Sequence, residues 1–364
     1  TPTLYYPLLA QAGTDESITK LQQEYAKPAT KDEAFKGLLL IDNPEMIDVL
    51  YNMAETDSEK KDQILNRYRM LVKKGNNNPT QKYLLYRRAL ELNPSEKTTN
   101  TLLAALSEAP VLPSLIFSAK YLDSKKNKEQ AAKTVKQILS KNSSFQQGID
   151  ARRIMEKARD IFKAQTDADA GYAVDELNGM IAKSQEGTGF NEVMRGAEGS
   201  RVRTSKDYEN FEMYVDWKSL GDDALLKIKN LPQVQLGTTQ VSMLAPSEKS
   251  YTLSVKPTEW NTLYLKVEND RLEVKNNGET VASNYIMNNG DKPLDINSVI
   301  ELLSEKGKVS VRNLCVKEKP STPVYTLSEE EQKAGFELLF DGRSLEKWQG
   351  NTTDYVPIDG NIYV

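Results

Sequence analysis

No histidine occurs anywhere in the chain. Serine–histidine–aspartate and cysteine–histidine nucleophile activation are therefore excluded, and so are histidine-containing zinc sites, because imidazole is the group those mechanisms use near neutral pH. Any acid–base chemistry falls to carboxylates, lysine, tyrosine or a less usual partner. Cysteine is nearly absent as well: a lone Cys315 in "KVSVRNLCVKE" allows neither a disulfide framework nor a cysteine-based metal site. No apolar run approaches the roughly 18 residues of a membrane-spanning helix. The opening "TPTLYYPLLAQAG" has neither a basic n-region nor a cleavage site, so either the chain is cytoplasmic or its targeting segment has already been removed. Charge of one sign is missing too: 48 Lys and Arg against 52 Asp and Glu leave a net charge of −4 over 364 residues, no field on which nucleic acid would condense. That length exceeds the roughly 250–300 residues of a single core and predicts two or three domains.

What is present falls into two textures. Up to about residue 184 the hydrophobic period is helical. "NPEMIDVLYNMAE" sets Met46, Leu50 and Met53 on one face, and "NPTQKYLLYRRALELN" does the same with Tyr83, Tyr86 and Leu90. Each follows an Asn-Pro start, the Pro in a first turn where its missing N–H costs nothing. Pro28 and Pro44 bracket one segment and Pro94 and Pro110 a second, both with 16-residue intervals and offset by 66. Half that offset, 33, suits a stack of helix pairs, each of which needs neighbours to bury its apolar face; a non-repetitive bundle is the plainer alternative.

From "SQEGTGF" onward the period is two. In "NFEMYVDWKSL", Phe211, Met213, Val215 and Trp217 share one face and Glu212, Tyr214, Asp216 and Lys218 the other. "ALLKIKNLPQVQL", "NTLYLKVEND", "RLEVKNNGETVAS" and "GKVSVRNLCVKE" alternate in the same way, with turn residues between them. No helix-length pattern separates these runs, so the fold class is a multidomain α plus β chain: an all-α helical repeat array, then an antiparallel β-sandwich.

The tail "FELLFDGRSLEKWQG…YVPIDGNIYV" resembles the opening of the 3-keto-disaccharide hydrolase domain, a concanavalin-like jelly roll. Phe336, Leu339, Phe340, Asp341, Gly342, Leu345, Trp348, Gly350, Asp359 and Gly360 fit that pattern. "RVRTSKDYENFEMYVDWK", "PQVQL", "KNNG" and "VSVRNLCVKE" are similar to its later strands. The resemblance implies this division: a HEAT-like helical domain over 1–184, a sandwich over 185–319, a linker over 320–335, and in 336–364 the opening strands of a second sandwich, either cut short or donated to the first. It also implies a bacterial, periplasmic or otherwise exported protein that processes carbohydrate. In the family chemistry, oxidation at C3 acidifies the C2 proton, and elimination and hydration follow with a base and usually a divalent metal. Here the turn at the mouth of the binding face reads Gly221-Asp222-Asp223-Ala224 instead of Gly-Asn-Ser-Gly, and histidine is missing. The expectation is a copy that keeps the fold without the reaction: a scaffold plus accessory carbohydrate-binding sandwich of a larger glycoside-cleaving enzyme. No cofactor is evident in this segment, and a metal is expected only in the parent enzyme.

Sugar hydroxyls both donate and accept, which calls for mixed carboxylates, amides and ammonium groups on an exposed sheet face. Glu212, Tyr214, Asp216, Lys218, Lys227, Lys229, Gln233 and Gln235 are read as such a face, with Asp216, Lys218, Gln233 and Gln235 the carbohydrate-binding candidates; a solvated sheet face has the same pattern. No catalytic residue is assigned, and Asp222-Asp223 reads as turn chemistry. Trp217, Arg312 and Asn313 read as structural. The expected partners are a carbohydrate and, as the competing role, a protein on the helical array, with no nucleic acid and no transmembrane segment.

Overall fold

The computed structural model describes residues 5–244, 252–255, 259–287, 294–350, 352, 354–358 and 360–364. Asp359, Pro257 and part of the loop following Met243 lie outside them. Helices occupy the chain to Lys183 and antiparallel strands the stretch from Asn191 to Glu318. It divides into two compact units, residues 1–141 with 157–174, and residues 142–156 with 175–364.

The first unit is a run of helix pairs. The even members α2 (Asp15–Tyr25), α4 (Met46–Thr56), α6 (Pro79–Glu91) and α8 (Leu112–Ala119) begin 31, 33 and 33 residues apart. The odd members α3 (Lys31–Leu40), α5 (Lys61–Lys74), α7 (Glu96–Leu106) and α9 (Lys128–Lys141) follow at 30, 35 and 32, after a short α1 (Tyr6–Ala12). This step is close to the ~33–34 residues of ankyrin and tetratricopeptide units and below the ~40–47 of HEAT units. α6 shows how the sequence writes a helix: Asn78 and Gln81 form a capping box, Pro79 opens the first turn, and Tyr83, Tyr86 and Leu90 are buried. α4 buries Met46, Leu50 and Met53 in the same core. Neighbouring pairs are tied by bonds between residues about one step apart. Lys61 donates to the Leu92 carbonyl, the Ser95 amide to Asp62, and Thr134 to the Leu103 carbonyl. α10 (Ile149–Lys163) and α11 (Ala168–Lys183) complete the helical sequence.

The second unit is built on two six-stranded antiparallel sheets. In chain order the strands are β1 (Asn191–Gly199), β2 (Arg201–Arg203), β3 (Phe211–Leu220), β4 (Ala224–Ile228), β5 (Leu231–Leu236), β6 (Gln240–Met243), β7 (Thr252–Ser254), β8 (Asn261–Glu268), β9 (Arg271–Asn276), β10 (Glu279–Ile286), β11 (Glu301–Ser304) and β12 (Lys308–Glu318). The first sheet runs β1-β12-β3-β8-β9-β10 and the second β2-β11-β4-β5-β6-β7. Phe211, Met213, Val215 and Trp217 of β3 pack with Val309, Val311, Leu314 and Val316 of β12 and with Leu226, Val234 and Val241 of the second sheet. The period of two thus delivers one core between two sheets. Trp217 is buried and donates its indole N–H to Asn276 at 3.1 Å. The β4–β5 turn has both Lys229 and Asn230 at positive φ, and the β9–β10 turn has Asn277 and Gly278 there, the geometry of a two-residue hairpin.

The tail forms its own two-stranded sheet from β13 (Val356–Ile358) and β14 (Asn361–Tyr363), preceded by the short helix α12 (Glu329–Lys333). Among the described residues neither sandwich sheet takes a strand from it, and the fully buried residues of the sandwich core run from Val202 to Val316.

Candidate functional site

The structure divides the single polar face read from the sequence. Asp216 and Lys218 lie on β3, on the outer side of the first sheet, whereas Gln233 and Gln235 lie on β5 of the second, Gln235 on its outer side and Gln233 buried at a register shift. Each sheet turns its other side to the shared core, so Asp216 and Lys218 are on the opposite outer face from Gln235 and cannot share a ligand with it. Strand alternation tells which residues share a side of one strand; it carries no information on which sheet that strand joins.

On the first sheet Asp216 is almost wholly buried. Thr262 donates to its Oδ1 at 2.7 Å, Asn313 to its Oδ2 at 3.0 Å, and the Arg312 guanidinium stands 3.6 Å away. Arg312 in turn lies over the Trp260 ring at 3.8 Å. A register shift between Arg312 and Cys315 and a positive φ at Asn313 make a bulge, which brings the Asn313 amide to the carboxylate. A polar group taken out of water is tolerated only with hydrogen-bond partners of this kind. Lys218, two residues on, is half-buried opposite Ser310.

On the second sheet, strand register assembles a cross-sheet row. Arg201 pairs with Leu303, Leu303 with Leu225, Leu225 with Gln235, and Gln235 with Ser242. Leu225 and Leu303 are half-buried, so an apolar centre has polar ends. Beside it, Arg203 pairs with Glu301 and Glu301 with Lys227. The buried Glu301 carboxylate accepts from Arg201 and lies 3.7 Å from Lys227. At the other end Gln235 donates to Asp223, whose second oxygen accepts from the Thr238 amide at 3.1 Å. Gln233 is buried. Asp222 accepts from the Lys306 amide at 3.2 Å.

Sequence reasoning missed a third cluster, at the end of the sandwich where the β4–β5 and β8–β9 turns meet the tail. Asn210 donates to Thr322, Thr322 to Asn269, and Asn269 to the Pro357 carbonyl. Arg271 donates to the Tyr355 carbonyl at 2.9 Å, and Arg343 pairs with Glu209 at 3.2 Å. Lys229, read as part of the polar face, is buried here and donates to the Ile296 carbonyl at 2.5 Å. Burial pushes its ammonium down to about 8, against the pull of Glu209, Asp270 and Asp295. The Asp270 carboxyl is raised by burial, although Arg271 beside it acts the other way. The long-range partners lie 53 to 134 residues apart, beyond any local pattern; the nearest signal was the pair of turns themselves.

Among the described residues no group of three or more Asp, Glu or Cys side chains is placed to hold a metal ion. No described helix is long and apolar enough to cross a membrane.

Residues 165–317 match the family described as the 3-keto-alpha-glucoside-1,2-lyase-like domain. No curated protein matches the chain. Among solved structures, a protein of Parabacteroides distasonis ATCC 8503 described as a glycosyl hydrolase is similar at 16% identity, covering 34% of this chain and 81% of its own, with a TM-score of 0.25. A second protein of that organism with the same description is 14% identical over 36% and 90%, with a TM-score of 0.24. The carbohydrate-binding module CBM66 from Bacillus subtilis is 12% identical over 36% and 96%, with a TM-score of 0.25.

Proposed function

We propose that the sandwich is an accessory carbohydrate-binding module and the helical array its scaffold, within an exported bacterial polypeptide that cleaves glycosides. The match of residues 165–317 to a 3-keto-glucoside lyase-like domain supports the carbohydrate class. The observation that carries the reading is the row Arg201, Leu303, Leu225, Gln235 and Ser242, flanked by Glu301 and Lys227. Two leucines offer an apolar floor to the C–H face of a sugar ring, and charged and amide groups at either end suit its hydroxyls. Gln235 supplies the polar end of that contact: its amide is oriented by Asp223, while Gln233 beside it is buried. Glu301 is held by Arg201 and Lys227, and Asp223 by Gln235 and the Thr238 amide. Carboxylates so committed suit hydrogen bonding to hydroxyls better than proton transfer, which supports a binding role over a cleaving one for this face.

Affinity electrophoresis of the full chain against a panel of neutral polysaccharides tests this. Retention by at least one of them, weakened about tenfold by Gln235→Ala through loss of a hydrogen bond to ligand, is expected. No retention, or retention indifferent to Gln235, would overturn the assignment; turnover of a 3-keto-glucoside by the chain would show that the sandwich is itself the enzyme. The competing role, a protein-binding array, is favoured by one observation: Leu40 and Met70 are exposed and line a cavity of about 680 Å³ with Asp42, Arg67, Lys73 and Lys74. A chain that captures a protein partner and no glycan would select it.

A further inference from the structure

The lysines of the helical unit fall into two populations. Lys20, Lys27, Lys31, Lys36, Lys60, Lys73 and Lys74 each make an ion pair with a carboxylate of the same unit. Residues 120–141 then bring seven lysines against Asp123 and Glu129 alone, and Asp123 is already paired with Lys157. Lys125, Lys126, Lys128 and Lys133 are exposed, and among the described residues they make no ion pair. Lys97 joins them. It stands at the start of α7, where Asn127 donates to Asn100 and to the Glu96 carbonyl, so the first turns of α7 and α9 share one edge. The imbalance is local. Residues 1–141 hold 21 Lys and Arg against 17 Asp and Glu, while the rest of the chain holds 27 against 35.

We propose that this edge, formed by the starts of α7 and α9, is a docking surface for an anionic polysaccharide. Ammonium groups gathered on one rim attract a polyanion, and although Glu96 and Glu129 stand among them, no ion pair among the described residues engages these five lysines. The chemistry of the rim selects among polyanions. No arginine occurs between Arg88 and Arg152, so the planar fork that grips phosphate bidentately is missing. Tyr121, the aromatic nearest in sequence, packs edge-on against Phe117 and is not free to stack on a base. Among the described residues no large apolar side chain is exposed between Met70 and Ile149, so nothing there would enter a lipid surface. Lysines on flexible four-carbon stems instead suit the separate carboxylates or sulfates of a glycan. Lys128 and Lys133 are about 7.5 Å apart along the α9 axis and about 140° apart around it, so with Lys125 and Lys126 in the preceding turn they spread charge over the rim and do not form a single row.

Affinity electrophoresis of the full chain tests this with polygalacturonate and dextran sulfate as probes and with neutral dextran, duplex DNA and phosphatidylglycerol vesicles as comparisons. Both anionic polysaccharides are expected to retain the chain in about 50 mM salt and to release it near about 1 M, where charges are screened within ~3 Å. The K125Q/K126Q/K128Q/K133Q variant is expected to bind about tenfold more weakly or worse, because it removes the rim's counter-charges. The K36Q/K60Q/K73Q/K74Q variant loses the same four charges from exposed pairs and should bind within about twofold of the parent, since those charges are already neutralised. Equal losses in the two variants, equal retention by neutral dextran, or tighter binding to DNA or vesicles would each overturn the proposal. Retention of one polysaccharide alone would support it and tell carboxylate from sulfate. The surface lies on the helical unit and reads charged glycans, so it fails or stands separately from the neutral-sugar reading of the sandwich.

Discussion

The helical unit and the sandwich are held together over different sequence distances. In the helices the bonds that join one pair to the next span a single step: Lys141 to the Ser107 carbonyl is 34 residues, Thr134 to the Leu103 carbonyl 31. In the sandwich, Thr262 and Asn313 reach Asp216 from 46 and 97 residues away, and Arg201 reaches Glu301 from 100. An array of this kind gains stability pair by pair, each pair depending on its neighbours. A sandwich has to close long loops before its polar contacts form, so it is expected to form as one cooperative unit and more slowly. The difference also decides where damage spreads. All three tryptophans, Trp217, Trp260 and Trp348, belong to the second unit, so their fluorescence reports it alone, while helical circular dichroism is dominated by the first.

The largest expected effect comes from Asp216→Ala. It leaves Thr262, Asn313 and Arg312 without their shared acceptor in a buried site, a loss of about 3–5 kcal/mol against a typical total of roughly 5–15. In urea the tryptophan transition should move to much lower concentration while the helical signal holds its midpoint. If both move together, the two units are not independent. Next in size is Lys229→Met. In the parent, the unfolded chain keeps the Lys229 proton up to its ordinary value near 10.5 while the folded chain gives it up at about 8. The unfolded state therefore binds more protons between these values, and stability should rise with pH from about 8. The gain is about 2 kcal/mol by about pH 9.5. Above about pH 10 buried tyrosines such as Tyr68 and Tyr264, whose values are raised by burial, reverse the trend. The methionine variant should lose the rise. A rise of the same size in the variant would assign it to another group. The smallest effect is expected in the array: Asn78→Ala removes the capping box of α6, costing about 1 kcal/mol. Only the helical transition should shift, and a change in the tryptophan signal would break the comparison from the other side.

Legibility followed the same distances. Met46, Leu50, Met53, Tyr83, Tyr86 and Leu90 were readable as buried faces because a helix places residues three and four apart on one side, and all six are in the core. Trp217 was readable as core for the equivalent reason in a strand. The candidate site was legible only strand by strand. Asp216 and Gln235 share the outward parity of their strands, but the first is enclosed by Thr262 and Asn313 and the second stands beside Leu225 and Asp223 on the other sheet. Thr322, in a stretch that reads as a linker, is buried between Asn210 and Asn269, a position no local pattern announces.

By itself, then, the order of residues determined the change from a period of about 3.6 to one of two, the helix starts at their caps, the hairpin turns at Asn277-Gly278 and Asn269-Asp270, and the exclusion of imidazole chemistry. These depend on neighbours in the chain, and steric and hydrogen-bonding rules act at that range. Only the tertiary structure decided which strands share a sheet, that Lys229 is buried and Lys128 exposed, and that the row from Arg201 to Ser242 exists at all. Those depend on register and on closing loops of up to about a hundred residues, where the packing of whole surfaces, not the pattern of one segment, sets the outcome.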